Sequence, residues 1–310
     1  MSLALSVIIP AHNEGSRLHS GMNRLLPVLT SLDINTVEVI VVDDGSSDDT
    51  GRTAASLVSA LPHSLVVRNE VNRGKGAALK VGIAVARGRY VVACDADMSI
   101  HPQQLTHLIN ALATSPVAVG SRARGGVIKY DSALRTTAGR AFNTLVRRWT
   151  STAVRDTQCG FKGFHLGVAR LFAIFGHIDG FAFDAEWLYL AQRLQLSATP
   201  VPVEWDDVAG SSVRVGRDSW RMLMDIRGVR QSPYRTVAVR IPHPASFDDV
   251  AQACRDARVQ GAVLARGTET DIVVLPRDGA PGGLGIAKVC GGNLGIVEID
   301  ELVGRTFEGV

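Results

Sequence analysis

Residues 37–50 read VEVIVVDDGSSDDT. Val37, Val39, Ile40, Val41 and Val42 make a nearly continuous β-branched run, the pattern of a strand covered on both faces. Asp43 and Asp44 end the run, Gly45 to Asp49 form a polar turn, and Ala54, Leu57, Val58 and Leu61 continue at helical spacing. Ser46 and Asp48 are good helix N-cap types. Strand, turn and helix in this order recur on either side. LSVIIPA (5–11) precedes a helix over 14–32 with Leu18, Met22, Leu25, Leu26 and Leu29 on one side. LVVRNEV (65–71) precedes KGAALKVGIAVARG (75–88), and RYVVACDAD (89–97) precedes QQLTHLINALA (103–113) and VAVGSR (117–122). Strands alternating with helices predict an α/β fold, a mainly parallel sheet flanked by helices. Ligands of such sheets gather at the carboxyl ends of the strands. Asp43, Asp44, Asp95 and Asp97 all sit there.

Further along, residues 132–150 read as a helix. RDTQCGFKGFH (155–165) is assigned no element, and helices follow over 167–175 and 179–195 before a late strand, ATPVPVEW (198–205). WRMLMDIRGVRQ (220–231) reads as an amphipathic helix with Trp220, Leu223, Met224 and Ile226 towards one side. From Arg235 the pattern changes to short strands (RTVAVRI, GAVLAR, TDIVVLP, LGIAKV) and a helix, SFDDVAQACRDARV. We expect a first domain over 1–234 and a small α+β domain over 235–310. The glycine-rich DGAPGGLG (278–285) lacks the Lys-Ser/Thr and the strand–loop–helix setting of a phosphate loop, so it reads as loop punctuation.

At 310 residues with 46% hydrophobic and 20% charged, the chain has the balance of a folded protein with a sizeable core. No apolar run reaches the roughly 18 to 20 residues that span a bilayer. MSLALSVIIPAHNE reads as a first strand rather than a signal peptide. Cys94, Cys159, Cys254 and Cys290 are widely spaced without a CxxC pair, which argues against zinc and disulfides and suits a reducing cytoplasm. The net charge of +3 is uneven: residues 121–148 carry a local +6, and residues 236–310 a local −3. The basic stretch lacks interleaved aromatics, so nucleic acid is not the expected partner. It reads as a solvated helix face or an anion site.

In CDADMS (94–99), Asp95 and Asp97 stand two residues apart. On extended chain such side chains point the same way, and two hard oxygen ligands suit Mg²⁺ or Mn²⁺ shared with phosphate. Gly74-Lys75-Gly76 follows a strand and opens a helix, where glycines allow close backbone approach and a lysine can meet phosphate.

PAHNE (10–14), VVDDGSSDDT (41–50), NRGKGAAL (72–79) and CDADMS occur in this order, each at a strand end. Together they resemble the inverting glycosyltransferases of family two with the GT-A (Rossmann-like) fold. VGSRARGG (119–126), RTTAGRAFN (135–143), RDTQCGFKGF (155–164) and DGFAFDAEWL (179–188) extend the resemblance towards the polyprenyl-phosphate sugar synthases, dolichyl-phosphate β-glucosyltransferases above all. It covers residues 6–230. The resemblance implies that Pro10, Ala11, Asn13 and Glu14 line the base or ribose pocket, and that Asp43 and Asp44 hydrogen-bond base and ribose. Lys75 and Ala96 border the nucleotide, and Asp95 and Asp97 hold the metal on the diphosphate. It gives Arg122, Arg135 and Arg140 to the acceptor phosphate, Asp156 and Gln158 to sugar hydroxyls or the acceptor loop, and Asp184 and Glu186 to the donor sugar or to helix structure. Ser99 stands where some polyprenyl-phosphate mannosyltransferases have Gln, which leaves a third metal ligand open.

The expected reaction is transfer from a nucleotide sugar, UDP-glucose or another UDP-hexose, to a polyprenyl phosphate. An anionic acceptor needs positioning and charge compensation more than a base. A soluble acceptor is the second reading, and a non-catalytic nucleotide-sugar-binding module the third. Expected partners are a membrane surface, met through 217–230 or through a partner protein, and further copies or a membrane partner met through 235–310. The expected location is the cytoplasm, peripheral on the inner face of the membrane.

Overall fold

The computed structural model describes residues 3–122, 143, 144, 146–148, 154, 156–193 and 196–204, then 222, 224–227 and five short strands beyond 238. The elements run β1 (Leu5–Ala11), α1 (Gly15–Ser31), β2 (Val37–Asp44), α2 (Thr50–Val58), β3 (Leu65–Asn69), α3 (Lys75–Val85), β4 (Tyr90–Ala93), α4 (Gln104–Leu112), β5 (Val117–Ser121), β6 (Lys162–His165), α5 (Leu166–Phe175), α6 (Phe183–Arg193) and β7 (Ala198–Pro202).

The seven strands pair in the order β3-β2-β1-β4-β6-β5-β7. β1 is parallel to both β2 and β4, with Ile8 opposite Ile40 on one side and Ala93 on the other. Side chains alternate along a strand, so β1 is split between two cores. Val7 and Ile9 pack with Leu18, Met22, Leu25 and Leu29 of α1 and with α2 and α4. Ile8 packs with Ala78, Leu79 and Ile83 of α3 and with α5 and α6. Full burial of such side chains contributes about 1.5–3 kcal/mol each. The chain moves outward from β1 through β2 to β3, then returns to place β4 on the other side of β1. That reversal is the switch point where open α/β sheets leave a crevice, and it lies between the ends of β1 and β4.

One strand departs from the expected parallel order. β6, within the RDTQCGFKGFH stretch that was assigned no element, runs antiparallel between β4 and β5. It therefore brings its amino end, not its carboxyl end, to the carboxyl edge of its neighbours. At the opposite edge Glu38 is fully buried and accepts hydrogen bonds from Ser6 Oγ (2.6 Å), the Arg87 backbone N–H (2.6 Å), the Arg87 guanidinium (3.0 and 3.1 Å) and the Gly88 N–H (3.3 Å).

Asn143, Thr144 and Val146 to Arg148 are helical, as expected of 132–150; the rest of that segment lies outside the described residues. Met222 and Met224 to Arg227 are helical too. The expected single apolar side does not hold there: Ile226 is buried whereas Met224 is 53% exposed. Residues two apart on a helix point nearly opposite ways, so the two cannot share a face.

Beyond residue 238, β8 (Val239–Pro242), β9 (Ala262–Arg266), β10 (Asp271–Val274), β11 (Gly295–Ile296) and β12 (Arg305–Thr306) form a separate antiparallel sheet in the order β11-β8-β10-β9-β12. The expected helix over 246–259, the LGIAKV strand and the glycine-rich 278–285 stretch lie outside the described residues.

Candidate active site

The first two loops are laced together where β1 and β2 end. Asn13, at φ 55°, donates from its backbone to Ser46 Oγ (3.0 Å) and accepts from the Ser47 N–H (2.9 Å). Left-handed backbone is tolerated by asparagine better than by most residues. The Glu14 N–H donates to Thr50 Oγ1, and the Gly15 N–H to Asp48. The hydrogen bonds from Thr50 and Gly15 outweigh the opposing effect of burial and hold the Asp48 carboxyl below its usual range. Pro10 and Ala11 close β1 beside Asp43, with Ala11 in register with it. Asp43 is fully buried, accepting from the Ser46 N–H and lying 3.6 Å from Arg68 Nε.

Asp44 serves the loop rather than an open pocket. Its carboxylate accepts from Asn69 Nδ2 (2.7 Å), the Arg73 N–H (3.1 Å) and the Gly74 N–H (2.7 Å). These bonds bend the chain into Gly74-Lys75-Gly76. Gly74 has φ 108°, and a Cβ there would lie 2.5 Å from the Asp179 carbonyl oxygen, so only glycine fits.

Lys75 Nζ reaches Asp95 Oδ1 in an ion pair. Burial opposes both charges, yet each prevails: Asp95 holds Lys75 above its ordinary pKa, and Lys75, with Lys162 and Arg122, holds Asp95 below its own. Asp95 and Asp97 are not on extended chain as expected. β4 ends at Ala93, and the Met98 N–H closes a turn onto the Asp95 carbonyl (3.0 Å), with Met98 at φ 47°. Ala96 is buried inside this turn. Asp97 accepts from the N–H of the buried Ser99 (3.0 Å).

Across the crevice, Arg122 forks onto Asp156 through Nε (2.8 Å) and Nη2 (2.9 Å), and its backbone N–H binds the same carboxylate (3.1 Å). Burial favours the protonated acid, but the Arg122 fork outweighs it and keeps Asp156 below the usual carboxylate range. Gln158 is half-buried two residues on. A Cβ on Gly160 would lie 2.5 Å from Asp95 Oδ2 and 2.9 Å from Lys75 Nζ, so this loop closes directly over the Lys75–Asp95 pair.

Asp184 and Glu186 are buried in the first turn of α6, which stands on Phe183 and Trp187, 5.0 Å apart edge to face. Asp184 binds Lys162 Nζ (2.6 Å). Burial drives its carboxyl above the ordinary value against the pull of that lysine. Glu186 accepts from the backbone N–H of His177 (2.9 Å) and of Ile178 (3.0 Å), so it shapes the loop before the helix. Burial raises its pKa as well. Arg135 and Arg140 lie outside the described residues. Gly160 and Lys162 are the residues that sequence reasoning missed; the only signal was a lysine inside the apolar run FKGF.

The donor set fits a divalent cation shared with a ligand. Among the described residues no group of three or more acidic, histidine or cysteine side chains could hold a metal alone. Mg²⁺ and Mn²⁺ need only one or two carboxylates when phosphate oxygens and water complete the shell. The negative field at the turn is evident at Glu14: burial, with Asp97, Asp95 and Asp48 adding and Arg17 opposing, pushes its carboxyl up to about 7.

Residues 6–172 match the family described as Glycosyl transferase family 2. The chain is 36% identical over 241 residues to the dolichyl-phosphate beta-glucosyltransferase of Drosophila melanogaster, covering 70% of this chain and 73% of that one. It is 32% identical over 243 residues to the enzyme of that name from Dictyostelium discoideum, covering 74% of each. The chain belongs to glycosyltransferase family 2. Its fold is shared with solved structures. Glucosyl-3-phosphoglycerate synthase from Mycobacterium tuberculosis, in complex with phosphoglyceric acid, matches at TM-score 0.58 and 20% identity over 74% of this chain and 81% of that one. The same synthase with Mg²⁺ and UDP matches at 0.57 and 21%, over 78% and 84%. At such identity the likeness establishes the GT-A fold.

The Glu14 environment makes this family 2 enzyme pH-sensitive in a defined window. Below the unfolded value near 4.5 the carboxyl is protonated in both states and costs nothing. As pH rises towards 7 the unfolded chain releases the proton first, so stability falls. Glu14→Gln should therefore match the wild type near pH 4.5 and exceed it above pH 7 by about 1–3 kcal/mol. Urea unfolding at both pH values in the presence of a chelator measures this.

Proposed function

We propose that this glycosyltransferase moves glucose from UDP-glucose, or another hexose from its UDP sugar, to a polyprenyl phosphate with inversion, giving a β-linked lipid-phosphate sugar. The observation that carries this reading is the match to dolichyl-phosphate beta-glucosyltransferases over about 70% of this chain. Asp95 and Asp97 would hold Mg²⁺ or Mn²⁺, which when bound supplies Lewis-acid stabilisation of the departing diphosphate. Asn13, Glu14 and the buried Asp43 frame the nucleotide end of the crevice, and Asp44 fixes the loop that presents Lys75 to phosphate. Arg122, pre-oriented by Asp156, supports acceptor-phosphate binding. A phosphate monoester is already anionic, so orientation and charge compensation suffice for its oxygen to attack the anomeric carbon. Arg135, Arg140 and Gln158 complete the proposed acceptor side.

Among the described residues no helix is long and apolar enough to cross a membrane. The lipid acceptor would be met peripherally from the cytoplasmic side or through a membrane partner. Exposed Met224 and Arg227 supply the apolar–basic pairing of interfacial helices. We place a domain boundary at 234/235, in keeping with the separate pairing of β8 to β12, and assign contacts between copies to residues 235–310.

A panel of UDP-, GDP- and dTDP-sugars with Mg²⁺ or Mn²⁺, with and without polyprenyl phosphate, tests the reading. Product is expected from UDP-glucose only when lipid phosphate and metal are both present. Efficient transfer to a soluble phosphate such as phosphoglycerate, with none to lipid, would overturn the acceptor.

A further inference from the structure

Lys162 is 1% exposed, a place where an ammonium is costly unless its partners are good. It has three: Asp184 Oδ1 at 2.6 Å, the Cys159 carbonyl at 2.5 Å and the Thr157 carbonyl at 3.3 Å. An ammonium carries three N–H donors, so each is spoken for and none is left for a substrate. The antiparallel course of β6 explains the location. Lys162, its first residue, lies opposite Ala93, the last residue of β4, and opposite Val119 of β5. The segment just before it is thereby delivered to the edge where Asp95 and Arg122 stand. In that segment Asp156 receives the Arg122 fork and Gly160 abuts the Lys75–Asp95 pair. The two captured carbonyls flank Gln158.

We propose that Lys162 is a positioning residue for glycosyl transfer, clamping the 156–160 loop onto the first turn of α6 so that Asp156 and Gly160 keep their distances from Arg122 and Asp95. A pair of apolar side chains would fill the same space without desolvating two charges, so stability alone does not require an ion pair here. What an apolar side chain cannot do is hold two loop carbonyls. The inference deepens the proposed site and rests on it: Asp95 is taken as a metal ligand and 156–160 as a wall beside the reactants.

The test compares Lys162→Met, Asp184→Asn and the double variant for thermal midpoint, UDP binding, and kcat and KM with UDP-glucose and polyprenyl phosphate. Wild-type turnover in the same assay first shows that donor and acceptor are right. Lys162→Met should melt earlier, because Asp184 is left buried and unpaired. A displacement of about 1 Å in the loop should lower kcat roughly 10- to 100-fold while KM for UDP-glucose stays within about twofold. In the double variant the midpoint should return to that of Asp184→Asn, with kcat still at least about tenfold below Asp184→Asn. If kcat returns along with the midpoint, Lys162 only neutralises Asp184 and the proposal falls. If Lys162→Met does not fold, the comparison of the double variant with Asp184→Asn decides the matter by itself. Asp95→Asn, measured alongside, separates the two levels: full transfer there sinks the site reading on which the clamp depends, whatever Lys162 does.

Discussion

Asp97→Asn should lower kcat with Mg²⁺ or Mn²⁺ by about 10³-fold, equivalent to about 4 kcal/mol of transition-state stabilisation. The substitution keeps the side chain's shape and its acceptor for the Ser99 N–H, which lies at 3.0 Å in the wild type. What it removes is charge. Asp95 already faces a cation, Lys75, so in the metal-free protein much of its charge is answered from within the chain. Among the described residues no lysine or arginine pairs with the Asp97 carboxylate within 4.0 Å; its field instead falls on Glu14, whose proton it helps to retain. A divalent cation bound at the turn would therefore depend more on Asp97 than an equal sharing between two carboxylates implies. Mn²⁺ binding followed by electron paramagnetic resonance should weaken in step with kcat, and the thermal midpoint should barely move. Unchanged turnover with Mg²⁺ would remove the metal from the turn.

The parallel βα units were legible because each pairs a local signal with a local structure: an apolar, largely β-branched run gives way to a polar turn, and a helix follows. The carboxylates at the ends of β2 and β4 could be located from that pattern alone. Their individual duties could not. Asp43 and Asp44 are adjacent and chemically identical, yet Asp44 is committed to Asn69 and the backbone of Arg73 and Gly74, contacts set by a loop about 30 residues further along. Glu186 is likewise engaged by backbone N–H groups of His177 and Ile178. β6 was illegible for a different reason. Four residues, KGFH, hold a glycine and a buried lysine, and neither hydropathy nor periodicity marks them as a central strand. Only the long-range pairing with β4 and β5 makes them one. The Asp95–Met98 turn was missed because Met98 takes a left-handed conformation that its residue type does not announce.

Glu38→Ala should destabilise the protein by about 3–5 kcal/mol while leaving kcat unchanged at temperatures where the variant is folded. Glu38 is fully buried near the start of β2, one position into the strand, level with Ser6 of β1. Its carboxylate joins three pieces of chain: the Ser6 hydroxyl, the backbone N–H groups of Arg87 and Gly88 in the turn before β4, and the Arg87 guanidinium. The guanidinium is itself more than half exposed, so on losing Glu38 it returns to water at little cost. The Arg87 N–H and the buried Ser6 hydroxyl lose their acceptor, whereas the Gly88 N–H keeps Ser6 Oγ at 2.8 Å. Each orphaned donor costs about 1–3 kcal/mol, and the cavity adds to that. Glu38→Gln separates the contributions. Its carbonyl oxygen can still accept from Ser6 and Arg87 N–H, while its amide opposes donor to donor against the guanidinium, so a loss of about 1–2 kcal/mol is expected. Denaturant unfolding ranks the three proteins. The expected independence of kcat follows from position: the staple binds strand starts at the edge away from the crevice, whereas Asp95, Asp97 and Arg122 follow the carboxyl ends of β4 and β5. A parallel fall of kcat in the folded variant would mean that strain at one edge of the sheet is transmitted along β1 and β4 to the other.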